Sequence, residues 1–255
     1  MATANPRPRQ TGITSEKLRE TPGAKAAKPA PRRRKTAKYD RKLVEILRAA
    51  AAVFAEVGFD PASIRMVADR ADISVAGLYY YVHSKEELLY LIQYHVFDGL
   101  VTRFENDSQV MLAKGGEVAR PEARLFRFIH NHLDHFLADM DSLTVCTREL
   151  GRLNGDYLTQ VEILQRKYFS QAFEIFQELF SDPGATQVNP RTATLAMFGA
   201  INWVSTWYNP ASDKSAGELA RELVKLYLHG VNVTDREAAE LIIKTVSARK
   251  ERGRR

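Results

Sequence analysis

The stretch DISVAGLYYYVHSKEELL, residues 72–89, sets three tyrosines side by side, after a Gly-Leu pair and before a His-Ser-Lys-Glu-Glu run. Successive helical residues lie about 100° apart, so Tyr79, Tyr80 and Tyr81 cannot share one buried face. At least one phenol must point away from the core. Val75, Leu78 and Val82 line up as a thin apolar stripe. Ala76, Gly77, Tyr79 and Tyr80 fall outside that stripe, and Tyr81 flanks it. The spacing predicts a short helix from Ser74 to about Val82 that buries one side and leaves the rest for a partner. Gly77 costs about 1 kcal/mol in a helix interior relative to alanine. Beside Ala76 it would let another surface come close to the backbone.

Upstream, SIRMVADRA (63–71) reads as a second short helix with Ser63 as its N-cap. The ADIS segment (71–74) joins the two into a candidate helix-turn-helix. Before it, YDRKLVEILRAAAAVFAEVGF puts Leu43, Ile46, Leu47, Ala50, Val53, Phe54 and Val57 on one helical face, ended by Gly58. After it, a long helix runs from Lys85 or Glu86 towards Leu112, where Gly115-Gly116 stops it. Further helices are predicted at 121–138, 142–153, 156–181, 191–208, 215–230 and 235–250, separated by glycine and proline breakers. Neither strand-like alternation nor an internal repeat is present. The expected fold is all-α, with an N-terminal helix-turn-helix domain and a larger helical C-terminal domain. The boundaries read as a basic arm (1–38), the helix-turn-helix (39–85), the larger domain (86–234), and a terminal helix and tail (235–255).

Hydrophobic residues make up 45% of the 255 and charged residues 27%, which suits a globular chain with an ample core. No apolar run approaches the roughly 20 residues that span a bilayer. The start of the chain has basic residues but no apolar block, so no secretory signal is read. Cys146 is the only cysteine, which excludes internal disulfides and a multi-cysteine zinc site. A reducing, cytoplasmic location follows. The net charge of +6 is uneven. Residues 1–38 hold eleven Lys/Arg against two Glu, a charge of +9, and are too poor in large apolar side chains to order themselves. Residues 244–255 carry +5, which leaves −8 for the stretch between. A mildly acidic body with basic ends suits a polyanionic partner, or simply keeps the protein dissolved.

Duplex DNA fits the exposed face of the third helix. Its phosphates match the hydroxyls of Tyr79 and Tyr80, and its major groove admits one helix, with Ala76 and Gly77 nearest the bases. Lys85 would add a cationic phosphate contact and Arg65 a second cation. Ser63 and Ser74 cap helices whose N-terminal amides favour phosphate. Arg32, Arg33, Arg34 and Lys35 would extend as an arm along phosphates or into a minor groove. An alternative, in which the tyrosines wedge the third helix against the fourth, stays open, most of all for Tyr81.

Residues 39–90 resemble the DNA-binding domain of TetR-family transcriptional regulators, carried by FAEVGFDPASIRMVADRADIS (54–74) and VAGLYYYVHSKEELL (75–89). Gly58-Phe59, Val67-Ala68, Leu78-Tyr79, Lys85 and Leu88 match the family pattern, whereas Val82, Tyr81 and Met66 depart from it. The resemblance implies a homodimer that reads a palindromic operator, is released by a small effector, and acts as a repressor. TATLAMFGAINWVSTWYNPAS (192–212) resembles the penultimate helix of members that respond to acyl-CoA, with Asn202, Trp203, Trp207 and Tyr208 matching. Trp203 and Trp207, four apart, suit a dimer seam or an apolar pocket. Phe128, His132, Phe136, Phe169 and Phe173 are the remaining candidates for an effector cavity, or else aromatic core, and Arg148 is a candidate cation for the CoA phosphates.

His132 and His135 lie three apart with Asp134 and Asp139 nearby, a spacing too sparse to predict a metal. An enzyme using His130, His132 or His135 is the remote rival. There is no Gly-rich phosphate loop and no nucleophile motif, and Cys146 reads as a structural thiol. The expectation is a regulator, not an enzyme, with no cofactor beyond an effector such as an acyl-CoA. A regulator of another metabolite or drug, or a constitutive non-specific DNA binder, is the alternative.

Overall fold

The computed structural model describes residues 37–181 and 188–229, and among these it holds nine α-helices and no strand. The basic arm with Arg32, Arg33, Arg34 and Lys35, and the helix expected at 235–250, lie outside the described residues. The first helix, α1 (Ala37–Val57), buries Leu43, Ile46, Leu47, Ala50, Val53 and Phe54. It ends where Gly58 adopts φ +83 and its N–H reaches the Phe54 carbonyl at 2.9 Å. Val57, expected on the buried face, is 39% exposed, because the chain turns away there. Next come α2 (Ile64–Arg70) and α3 (Val75–Tyr79), joined by a turn in which Asp72 takes φ +51. Asp is among the few non-glycine residues that adopt this left-handed conformation.

Helix α4 (Lys85–Lys114) is 30 residues long, about 45 Å at 1.5 Å per residue. It serves two cores. Leu88, Leu89, Leu91 and Ile92 pack with α1, α2 and α3, whereas Val96, Leu100, Val101 and Phe104 pack into the larger domain. The first core, the head, also takes Val145, Leu153 and Val161 from far along the chain. The division expected at 85/86 thus falls at the first residue of α4, and packing runs across it.

The larger body is built from α5 (Pro121–Leu137), α6 (Met140–Arg148), α7 (Gly155–Leu179), α8 (Pro190–Asn202) and α9 (Ala216–His229). Pro121 and Pro190 stand in the first turns of their helices, where a missing N–H costs nothing. Asp139 caps α6 by accepting from the Ser142 N–H at 3.1 Å, so α6 starts earlier than the sequence spacing predicts; it also stops earlier, at Arg148. Helix α8 stops at Asn202 instead of 208 and passes into a tighter 3₁₀ turn, Trp203–Thr206. Pro210 disfavours helical backbone at Asn209, whose N–H is instead taken by Asp213 Oδ2 at 2.6 Å. Among the described residues no helix is long and apolar enough to cross a membrane.

Candidate nucleic-acid interface and effector core

Three serines start three consecutive helices. Ser63 Oγ accepts from the Met66 N–H at 3.2 Å, Ser74 Oγ from Gly77 at 3.0 Å, and Ser84 Oγ from Glu87 at 3.0 Å. At Ser84 the cap is reinforced one residue upstream, where Glu87 Oε2 accepts from the His83 N–H at 2.6 Å. Between these caps α3 has little room: it is five residues long, and Leu78 and Val82 are fully buried beneath it. Val75, placed on the buried stripe by spacing, is 38% exposed, because a first-turn residue of so short a helix overhangs the core.

Tyr79 is 48% exposed and Tyr80 72%, on the same outward side as Ala76. Tyr81 is half-buried. Tyr39, from the first turn of α1, meets both of its neighbours: its ring centroid lies 4.7 Å from Tyr81 and 5.9 Å from Tyr80, and Tyr80 meets Tyr81 edge-on at 5.1 Å. The most exposed ring of the head is therefore braced by two others. Arg65 is also outward, with only a 4.0 Å approach to Asp69 in solvent.

Two residues named for this face also have partners within the protein. Gly77 is half-buried, and a Cβ there would meet Ser74 Oγ at 3.2 Å and Ile73 Cβ at 3.8 Å. Its small size leaves room for the capping hydroxyl of Ser74. Lys85 is likewise committed to the protein. Its ammonium donates to the carbonyls of Phe59 (2.8 Å), Asp60 (3.0 Å) and Ala62 (3.0 Å) and stands 4.5 Å from the Phe59 ring centroid. All three protons are used within the protein, so Lys85 shapes the α1–α2 loop.

In the body the aromatic candidates form a continuous cluster. Phe128 stacks on Tyr168 at 4.7 Å and meets Phe104 and Phe198 edge-on at 5.0 and 5.9 Å. His132 lies 4.7 Å from Phe136, and its Nδ1 is 3.1 Å from the Tyr168 hydroxyl. Burial pulls the His132 pKa down to about 3; His135 pushes the same way, and Asn202 and the Ile201 backbone oppose. Burial also lowers His135, against the pull of Asp139, and raises Tyr168 and the Cys146 thiol. Phe169 and Phe173, half-buried and stacked at 6.1 Å, continue the cluster towards Phe198. Phe128, His132 and Phe136 are thus buried within this cluster.

Trp203 and Trp207 stand apart from this cluster, at 65% and 48% exposure, because the helix that would have stacked them ends at Asn202. Trp207 instead edges an open cleft of about 290 Å³ with Ser212, Asp213, Lys214, Leu219 and Glu222. Arg148 is exposed. Three further cations are paired: Arg152 with Asp60, Arg166 with Glu162 and Lys167 with Glu105. Among the described residues no three His, Cys, Asp or Glu side chains converge to hold a metal ion.

Two sequence families describe this arrangement. Residues 46–90 match "Bacterial regulatory proteins, tetR family", and residues 118–231 match "Tetracyclin repressor-like, C-terminal domain"; together they span more than half of the chain. The chain belongs to the TetR family of transcriptional regulators. This TetR-family protein is 22% identical, over 75% of its length and 96% of the relative's, to the fatty acid metabolism regulator protein of Bacillus subtilis. Its fold matches that of a TetR-family regulator from Bordetella parapertussis with a TM-score of 0.66 and 26% identity, covering 77% of this chain and 97% of the other. It also matches AibR, solved with isovaleryl coenzyme A and operator DNA, with a TM-score of 0.57 and 21% identity over 72% and 97% of the two chains.

For this TetR-family head, the sequence reading overlooked Tyr39, Ser84, Asp72 and Glu149. Ser84-Lys-Glu-Glu87 carries a legible capping signature. The partnership of Tyr39 with Tyr80 spans forty residues of chain, and no local pattern announces it.

Proposed function

We propose that this TetR-family protein is a homodimeric repressor that binds a palindromic operator and is released by an acyl-CoA or related thioester. The observation that carries the DNA reading is the braced, outward Tyr80 on a capped helix of five residues. Each protomer would set α3 into a major groove, with Ala76 nearest the bases and Tyr79 and Tyr80 on phosphates or base edges. Ser63, Ser74 and Arg65 would border the groove, and Arg32, Arg33, Arg34 and Lys35 would follow the backbone as an arm.

The effector reading draws support from the relative named for fatty acid metabolism and from AibR with its bound isovaleryl coenzyme A. It also draws on Asn202, Trp203 and Trp207. Since Phe128, His132 and Phe136 are buried, an acyl chain would enter by parting them together with Phe169 and Phe173, with Arg148 available to phosphate at the surface. Its effect on operator affinity is bounded by its preference for one body conformation over the other.

In vitro selection of duplexes by the full-length protein, followed by native mass spectrometry of freshly purified protein, tests both halves. A palindromic consensus and a co-purifying acyl-CoA that releases it are the expected results. Binding without sequence preference, and unaffected by an acyl-CoA panel, would replace this reading with a constitutive architectural binder.

A further inference from the structure

Helix α6 lies between the two cores: Leu143 and Cys146 sit in the body, while Val145 sits in the head. Beyond its end the chain turns through a 3₁₀ segment, Leu150–Arg152, before α7 begins. This elbow belongs to the body by sequence, yet it is bonded into the head. Glu149 is the joint, its side chain only 12% exposed. Glu149 Oε1 accepts the Phe59 N–H at 3.2 Å, Oε2 lies 3.5 Å from Arg152 Nε, and the Glu149 carbonyl accepts from the buried Gln93 of α4 at 3.2 Å. Arg152 reaches on to Asp60 Oδ2 at 2.8 Å, and Leu153 is buried in the head core.

The loop at 58–62 is consequently held from two sides. Lys85 of α4 binds its carbonyls, and Glu149 and Arg152 of the elbow bind its Phe59 amide and Asp60 carboxylate. That loop runs straight into the Ser63 cap and α2, against which α3 packs. A shielded carboxylate holds its partners firmly, because an unpaired one would be costly at that depth. Any shift of α6 must therefore carry the 58–62 loop along or break the Glu149 contacts, and packed elements of this kind move between discrete arrangements.

We propose that Glu149 is the coupling residue of this regulator, the positioning group through which the state of the body sets the orientation of α2 and α3 by way of the 58–62 loop. It acts in parallel with the continuous rod of α4. The proposal rests on the DNA-binding reading above and deepens it. Coupling between two sites is reciprocal, so DNA on the head must alter the elbow as strongly as the elbow alters the head. The test therefore needs no effector.

Amide hydrogen exchange is measured on the full chain, with and without a duplex recovered by in vitro selection. In the wild type, the duplex slows exchange at Phe59 and across 149–153 by about fivefold or more, the low end of typical coupling. Glu149→Ala binds the same duplex within about threefold, as expected for a residue outside the contact face. It protects α2 and α3 but no longer the elbow. Glu149→Gln keeps an oxygen for the Phe59 N–H and retains part of the elbow protection. If Glu149→Ala does not fold, Asp60→Asn, which loosens only the Arg152 tie, gives the same partial loss. Elbow protection that is absent in the wild type or undiminished in Glu149→Ala overturns the proposal. So does an affinity loss beyond about tenfold at an unchanged unfolding midpoint, which would make Glu149 a support of the head alone. Failure to recover any duplex overturns the DNA-binding reading itself, and this proposal with it.

Discussion

In the head, Tyr39, Tyr80 and Tyr81 touch one another at 4.7 to 5.9 Å and leave Tyr80 mostly in solvent. In the body, Phe128, His132, Tyr168 and Phe198 meet at 4.7 to 6.4 Å and close over completely around Phe128. Similar rings at similar separations thus give an outward handle in one place and a sealed interior in the other. The backbone beneath them makes the difference. Capped helices of five and seven residues expose most of what they carry, whereas α5 and α7, with 17 and 25 residues, can turn whole faces inward.

The largest expected effect breaks this contrast by truncating one ring from each cluster. Phe128→Ala should cost about 3–5 kcal/mol of unfolding free energy, the range for deleting a buried aromatic. Tyr80→Ala should cost no more than about 0.5 kcal/mol, as for other surface positions. Thermal and denaturant unfolding check the stabilities. Duplex binding should show the opposite ranking, with Tyr80→Ala losing affinity while it stays folded.

Acidification comes next and acts on the body. His132 titrates near 6.5 in the unfolded chain and about 3 in the folded one, so across that window the unfolded state binds the additional proton. Stability is intact above pH 6.5 and falls as pH drops towards 3, by about 1.4 kcal/mol per unit, or roughly 2–3 kcal/mol by pH 4.5. His135, lowered by burial as well, adds in the same direction. Unfolding midpoints measured between pH 7 and 4.5 should decline in the wild type and flatten in His132→Phe. An equal decline in both would remove His132 as the source.

Smaller effects sharpen the description of the head. Ser74→Ala should cost about 1 kcal/mol through the lost cap, visible in chemical denaturation. Smallest is the bracing of Tyr80. Tyr39→Leu should weaken duplex binding by about 0.5–1 kcal/mol in the wild type, the size of one aromatic pair. In a Tyr80→Ala background it should change nothing further, because the two act through the same ring. Additive losses would mean that Tyr39 touches the duplex independently or supports α1 alone.

Much of the head is legible in the sequence because its signals are local. Ser63 and Ser74 announce their helices, Gly58 ends α1, and the outward position of Tyr79 and Tyr80 follows from helical periodicity around Leu78. The contacts of Gly77 and Lys85 within the protein are illegible for the opposite reason. Their surroundings, the Ser74 hydroxyl and the carbonyls of a loop more than twenty residues away, exist only once the turn and loop have closed. In the body, α5 and α7 were easy to place, but the aromatic rings along them carry no mark that separates core from cavity. Helix α8 ends at Asn202 and tightens into the 3₁₀ turn 203–206 without a glycine or proline to mark it, and with that end went the stacking expected of Trp203 and Trp207.

The family match for the reading unit ends at residue 90, yet Val145, Leu153 and Val161 form part of its floor. A transplant cut at residue 90 would leave Leu88, Leu89 and their neighbours facing water where those three side chains had been. A head moved out of this chain keeps its floor when it travels with its own α6–α7 corner.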